Sequence, residues 1–258
     1  MRAVIVANGP KVDYEQLRRI VRADDLLVIA DGGIAHALAL DLRPARVFGD
    51  FDSATPRDLA EAERRGWPLI RFPREKDATD SELAVAWART QGATEIILAG
   101  ATGGRLDHTL ANLMLLVALA REGVPARLID GNHEARAMVG GQLRLDGEPG
   151  TYLSLIPLTP EVTGVTIAGA KYELHNATLR LGQTVGVSNE FTGQPVTIRT
   201  ASGILLIVTA KENPEQIKPM RNPMVVAPGG GDQIRPARRD RTGDSWPKRV
   251  RRGPRRRA

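Results

Sequence analysis

From position 3 to position 129, short apolar runs alternate with segments of helical periodicity, and this limits the available folds more than any other feature of the chain. The apolar runs fall at 3–7 (Ala-Val-Ile-Val-Ala), 26–30, 45–48, 69–72, 96–99 and 126–129. Helical spacing occupies the stretches near 13–22, 34–41, 56–65, 80–91 and 108–121. Strands that are apolar almost throughout are covered on both faces, and crossovers of helical length make successive strands parallel. Residues 1–130 are therefore predicted to form a mostly parallel, Rossmann-like α/β domain. In the last helix Leu110, Leu113, Met114, Val117 and Ala120 share one face at helical spacing.

The second half has a different grammar. Short β-like runs at 151–156, 162–168, 177–181, 195–199 and 203–210 are separated by Gly and Pro, with no helical period between them. This predicts an antiparallel β-sandwich or barrel over residues 131–212. Residues 213–258 are rich in Pro, Gly and Arg. Gly229-Gly230-Gly231 reads as a hinge, and disorder is predicted from about residue 229, because such a composition buries too little apolar surface to offset ordering.

Charge is distributed just as unevenly. The chain carries 36 Lys and Arg against 30 Asp and Glu, yet residues 231–258 alone hold ten Arg and one Lys against three Asp. The body is nearly neutral, so the overall basicity is no argument that it binds nucleic acid. With no cysteine there is neither a disulfide nor thiolate chemistry, which fits a reducing cytoplasm. The apolar start at 3–7 is too short for a signal peptide or a membrane span.

Ligands of open parallel sheets bind beyond the carboxyl ends of the strands. Four polar or glycine-rich sequences fall at such ends: Ala7-Asn8-Gly9, Asp31-Gly32-Gly33, Gly49-Asp50-Phe51-Asp52-Ser53, and Gly100-Ala101-Thr102-Gly103-Gly104-Arg105-Leu106-Asp107-His108. If the strand continues through Asp50 and Asp52, the two carboxylates project to one side. Like charges held so close call for a cation, and Mg²⁺ suits them because it takes oxygen ligands shared with substrate phosphates. An Asp-rich turn capped by Ser53 accounts for the same residues.

In the 100–108 segment, glycines before a helix let backbone amides approach a phosphate, and Arg105 can clamp its oxygens. The bland account is a glycine-rich turn with Asp107 as N-cap. Thr79 and Glu82 have the spacing of a capping box, which leaves Lys76, Asp77 and Asp80 to be explained. Asp80 offers a third carboxylate for Mg²⁺. His36, among apolar neighbours, reads as a packed residue, whereas His108 lies inside the glycine-rich element. The chain has no Walker A loop, no dinucleotide fingerprint and no His-Glu-x-x-His. Gly186-Val187-Ser188-Asn189-Glu190 reads locally as a hairpin turn.

Taken in order, Asp31-Gly32-Gly33, Gly49-Asp50-Phe51-Asp52-Ser53, Lys76-Asp77-x-Thr79-Asp80-x-Glu82, Gly103-Gly104-Arg105-Leu106-Asp107-His108 and Gly186-Val187-Ser188-Asn189-Glu190 resemble the bacterial thiamine pyrophosphokinases over roughly residues 1–212. The resemblance implies an α/β catalytic domain followed by a β-sandwich, and a homodimer with active sites at the subunit interface. It implies one-step transfer of a pyrophosphoryl group from ATP to the hydroxyl of thiamine, releasing AMP. Asp50, Asp52 and Asp80 would hold Mg²⁺, supported by Asp77. Arg105 would steady the transferring phosphates, and Asp107 would act beside it, assisting deprotonation. Asn8, Asp31, Gly32, Gly33, Lys76, Thr79, Gly100, Thr102, Gly103 and Gly104 would surround the nucleotide. Ser188 and Asn189 of the other subunit would contact thiamine. Two other readings stay open: a pyrophosphokinase for another hydroxymethyl heterocycle such as a pterin, and a nucleic-acid or acidic-partner binder acting through the tail.

Overall fold

Each apolar run of the first half is a strand, and the helices fall between them as the spacing predicts. In the computed structural model, residues 1–10 and 12–211 are described, together with the backbone of a two-residue strand at Val250–Arg251. In chain order the elements are β1 (Arg2–Val6), α1 (Tyr14–Ile20), β2 (Leu26–Ala30), α2 (Ile34–Ala39), β3 (Arg46–Gly49), α3 (Pro56–Arg64), β4 (Leu69–Arg71), α4 (Asp80–Thr90), β5 (Glu95–Ala99), α5 (Leu106–Arg121) and β6 (Ala126–Asp130). The six strands are parallel neighbours in the order β6-β5-β1-β2-β3-β4.

Alternate residues of the central strands feed two separate cores. Ala3, Ile5, Val28, Ile96 and Leu98 pack with Ala84, Ala88, Leu116 and Leu119 of α4 and α5. Val4, Val6, Ile29, Val47 and Ile97 pack with Leu17, Ile34, Ala37 and Ala62 of α1, α2 and α3. Burial on both faces explains why these strands lack polar alternation. Each fully buried aliphatic side chain contributes roughly 1.5–3 kcal/mol. Because β1 lies between β2 and β5, the winding reverses direction there, which opens a crevice at the carboxyl ends of β1 and β5.

The second half comprises β7 (His133–Leu145), β8 (Tyr152–Pro157), β9 (Glu161–Ala168), β10 (Tyr172–Arg180), β11 (Asn189–Glu190) and β12 (Val196–Ala210). All are paired antiparallel, and the β6–β7 hairpin makes them continuous with the parallel sheet. β12 runs beside β7 for its whole length, with β9 and then β8 on its other side. The sequence shows β12 as two runs because residues 201–203 form a bulge, where the register jumps between Thr200 and Ile204 opposite Gly140 of β7. A third core, including Leu153, Leu155, Val162, Ile167, Leu179, Ile198 and Leu205, holds these strands together. The Val250–Arg251 strand pairs with Tyr172 and Glu173 of β10. The disorder predicted from about residue 229 otherwise falls outside the described residues. Among the described residues, no helix is long and apolar enough to cross a membrane.

The face of α5 carrying Leu110 and Met114 is not the core face. Leu106, Leu110 and Met114 are 72%, 51% and 44% exposed, whereas Asn112, Leu116 and Leu119 point inward. Almost every side of this helix is apolar, so periodicity alone could not choose which side is buried.

Candidate active site

The loops after β1 and β5 meet at the reversal point. Gly9 N donates to Gly100 O at 2.6 Å, just beyond the Ala7 N to Ala99 O bond at 2.9 Å. A Cβ on Gly9 would lie 2.6 Å from Gly100 O, and Gly100 itself has φ +61°, so this crossing requires glycine at both positions. His36 supports the crossing from below: its Nε2 lies 3.0 Å from Gly9 O and its Nδ1 3.1 Å from the Tyr14 hydroxyl. A carbonyl only accepts, so Nε2 carries the proton and Nδ1 accepts from Tyr14. Burial lowers the His36 pKa, which keeps it a neutral, packed residue as its sequence context predicts.

Three carboxylates gather beside this crossing. Oxygens of Asp31, Asp50 and Asp52 lie within 4.8 Å of one another. The means differs from the strand alternation expected for Asp50 and Asp52. β3 stops at Gly49, Phe51 has φ +64°, and Asp52 N donates to Asp50 Oδ1 at 3.0 Å. A turn, not a pleat, brings the two together. The turn is pinned by Arg71, whose Nη1 donates to Asp50 O at 2.9 Å and whose guanidinium lies 4.9 Å from the centre of the buried Phe51 ring. Asp31 reaches in over Gly49, where a Cβ would stand 3.0 Å from Asp31 Cα. Asp31 Oδ1 is buried with no hydrogen-bond partner among the described residues, which is costly for a carboxylate unless a cation meets it.

Asp80 stands next to this trio rather than within it. Its buried Oδ1 lies 3.1 Å from Lys76 Nζ. Burial raises its pKa, Lys76 opposes that rise, and the charges of Asp31 and Asp50 add to it. Asp80 opens α4, where Thr79 Oγ1 accepts from Glu82 N at 3.2 Å, the cap that the spacing predicts.

On the far side, Arg105 and Asp107 pair at 2.6 Å. Asp107 is not the N-cap: the helix starts at Leu106, Arg105 occupies the cap position, and no side chain caps it. The Arg105 bond lowers the Asp107 pKa, so this carboxylate is a weak base.

Asp31, Asp50, Asp52, Lys76, Asp80 and Arg105 line one cleft of about 590 Å³. Asn8, Asp77, Thr79, Gly100, Thr102, Gly104 and His108 also face it. Asp31, Asp50, Asp52, Asp77, Asp80 and Glu82 outnumber the cations Arg74, Lys76 and Arg105 on its walls, so a polyphosphate entering without metal would meet net repulsion.

Gly32 and Gly33 do not face the cleft. They pack beneath β1, where a Cβ would strike the Asn8 side chain or Val6 O at 2.4 Å. Gly103 and Asp107 lie at the rim, exposed. Ser188 and Asn189 are elsewhere in the chain. Ser188 is exposed with φ +59° and donates its amide to Ser154 Oγ at 3.1 Å. Asn189 is buried: Oδ1 accepts from Tyr172 N and Glu190 N, and Nδ2 donates to Tyr172 O.

The sequence reading missed Asn112, whose buried Nδ2 donates to Ala101 O at 2.9 Å, and Asp130, whose Oδ2 receives Thr102. A lone Asn inside an apolar helix and an Asp at the end of a strand were visible signals for both.

Residues 17–128 match the family model described as thiamin pyrophosphokinase, catalytic domain, and residues 142–205 match thiamin pyrophosphokinase, vitamin B1 binding domain. Thiamine pyrophosphokinase of Bacillus subtilis is 33% identical over 209 residues, which is 81% of this chain and 98% of the relative. The crystal structure of the B. subtilis thiamine pyrophosphokinase superposes with a TM-score of 0.77 at 30% identity, covering 83% of this chain and all of that one. That of the Geobacillus thermodenitrificans thiamin pyrophosphokinase gives 0.75 at 33% identity, covering 83% and 99%.

Proposed function

We propose that this chain, which belongs to the thiamine pyrophosphokinase family and is an enzyme of that kind, works by placing Mg²⁺, ATP and thiamine together in the cleft beyond β1, β3 and β5. The observation that carries the site assignment is the trio Asp31, Asp50 and Asp52 with its orphaned Asp31 oxygen. An all-oxygen, acid-rich donor set fits Mg²⁺. Asp31, Asp50 and Asp52 would hold the ion, with Asp80 and Asp77 beside them. When bound, Mg²⁺ would neutralise charge on the phosphate oxygens.

The chain's own groups do the rest. Arg105 stands at the start of α5, where the helix dipole and its guanidinium favour the same anion. Lys76 is held in place by Asp80 and by Pro73 O, and its remaining donor would meet phosphate oxygens. The reaction joins the thiamine hydroxyl oxygen to the β-phosphorus of ATP, breaks the bond from that phosphorus to the α–β bridging oxygen, and releases AMP and the hydroxyl proton. Positioning and charge neutralisation dominate such transfers, so a weak base at Asp107 is no obstacle.

We assign the catalytic part to residues 1–130 and thiamine binding to residues 131–212, and we take the working unit as a homodimer. The exposed stripe Leu106-Leu110-Met114 starts at the rim of the cleft, which supports a second subunit closing the site there with its exposed Ser188, while Asn189, buried and bonded at both ends to its own chain, shapes the turn behind it. Leu110→Asp with Met114→Glu is then expected to yield monomers with greatly reduced activity, read by sedimentation velocity and turnover on the same sample. A wild-type monomer would overturn the dimer.

Product identification tests the function. ATP, Mg²⁺ and thiamine should yield thiamine diphosphate with one AMP each, whereas ADP with thiamine monophosphate would make this an ordinary kinase. Ending the chain at residue 230 should leave turnover unchanged. A large loss would place the arginine-rich tail in the active site.

A further inference from the structure

The first half of the glycine-rich loop is held at three successive residues. Gly100 O accepts from Gly9 N, and Ala101 O accepts from Asn112 Nδ2. Thr102 gives both its donors to one atom: its amide and its hydroxyl lie 3.0 Å and 2.5 Å from Asp130 Oδ2. After Thr102 come Gly103 and Gly104, both exposed, and then Arg105 at the rim. Thr102 is thus the last of the three anchored residues before the loop reaches the phosphate end of the cleft.

Asp130 is set firmly. It closes β6, pairs across the hairpin with His133, and is followed by Gly131, whose carbonyl accepts from Gln16 Nε2 of α1 at 2.6 Å. A carboxylate beside a phosphate-binding loop has the wrong sign for that ligand. The conflict is reduced when its charge is committed to donors of the loop itself, and here two converge on one oxygen. Hydrogen bonds to a charged acceptor are the stronger kind.

We infer that Asp130 is a positioning residue for the nucleotide: through Thr102 it fixes the loop in the shape that presents Gly104 and Arg105 to the phosphates. The inference rests on the phosphate-binding reading of this cleft. It assigns to Asp130 no contact with substrate, so its effect falls on nucleotide binding and not on thiamine.

The test uses the full chain and measures the Kd of MgATP by titration calorimetry, the KM of thiamine, and the thermal midpoint. Asp130→Ala is expected to weaken MgATP about tenfold, the size of a lost charge-assisted hydrogen bond, with the KM of thiamine unchanged. Asp130→Asn, whose amide oxygen can still accept from Thr102, should recover most of that loss. Thr102→Val should lose part of the affinity, and the double variant Asp130→Ala with Thr102→Val should be no worse than Asp130→Ala alone. Equal MgATP affinity in Asp130→Ala, absence of rescue by Asn, or full additivity of the two changes would each overturn the positioning role. A wild-type chain that binds no MgATP would instead overturn the nucleotide reading of the cleft, and this inference with it.

Discussion

Asp31→Asn and Asp50→Asn are each expected to lower turnover by ~10²-fold or more, the loss that follows removal of a principal electrostatic group from an active site. The loss should fall on kcat at saturating ATP, and raising Mg²⁺ should recover part of it, because the defect lies in holding the ion. Asp31 is the sharper test. Its Oδ1 is buried with no partner among the described residues, so the neutral amide relieves an unfavourable group and should stabilise the fold while it damages catalysis. A rise in thermal midpoint together with a fall in turnover separates a functional carboxylate from a structural one. Asp80→Asn should be milder in Mg²⁺ dependence, since Asp80 lies beside the trio and is engaged by Lys76. If Asp31→Asn turned over at the wild-type rate, the trio would not be the metal site. If Asp80→Asn alone abolished the Mg²⁺ response, the ion would sit nearer α4.

The strands of the parallel sheet were legible because the central ones are buried on both faces, so that Ala3–Val6, Leu27–Ala30 and Ile96–Ala99 read as uninterrupted apolar runs. β7 was not legible. Its sequence, His133 to Leu145, mixes charges with Gly140-Gly141 because it bridges the two halves of the sheet and no single face of it is uniformly buried. For the site, sequence placed Asp50, Asp52 and Arg105 at strand ends and helix starts, where the cleft is. It could not foresee that Asp31 would join the first two, because that depends on β2 lying next to β3 and on Gly49 leaving room for the Asp31 backbone. Nor could it separate glycines that face a ligand from those that admit a neighbouring strand. Gly32 and Gly33 look like a phosphate loop in one dimension and are packing residues in three.

That distinction yields a second large effect. Gly9→Ala and Gly104→Ala change residues lining the same cleft by the same methyl group, with opposite expected consequences. At Gly9 the new Cβ would stand 2.6 Å from Gly100 O and 2.9 Å from Thr102 O. Both are backbone atoms of the loop after β5, which is tied down at Gly100 and Thr102, so neither can rotate away. The β1 and β5 ends must separate, stretching the Gly9 to Gly100 bond and moving Asn8 and Thr102 in the cleft wall. The expected cost is about 1–3 kcal/mol of stability, as for overpacking a core, with most of the activity lost alongside it. At Gly104 the nearest atom is Pro10 Cδ at 3.9 Å, so a methyl group fits the free protein. Its stability should stay within ~0.5 kcal/mol of wild type, as for an ordinary surface change. If Gly104 lets a phosphate approach the backbone, the methyl group should still weaken MgATP about tenfold by removing one charge-assisted contact. Thermal unfolding and MgATP titration on the two variants therefore separate the two uses of glycine. Wild-type affinity in Gly104→Ala would remove this part of the loop from the nucleotide site. Wild-type stability in Gly9→Ala would show that the crossing of the two loops has more room than their carbonyls allow.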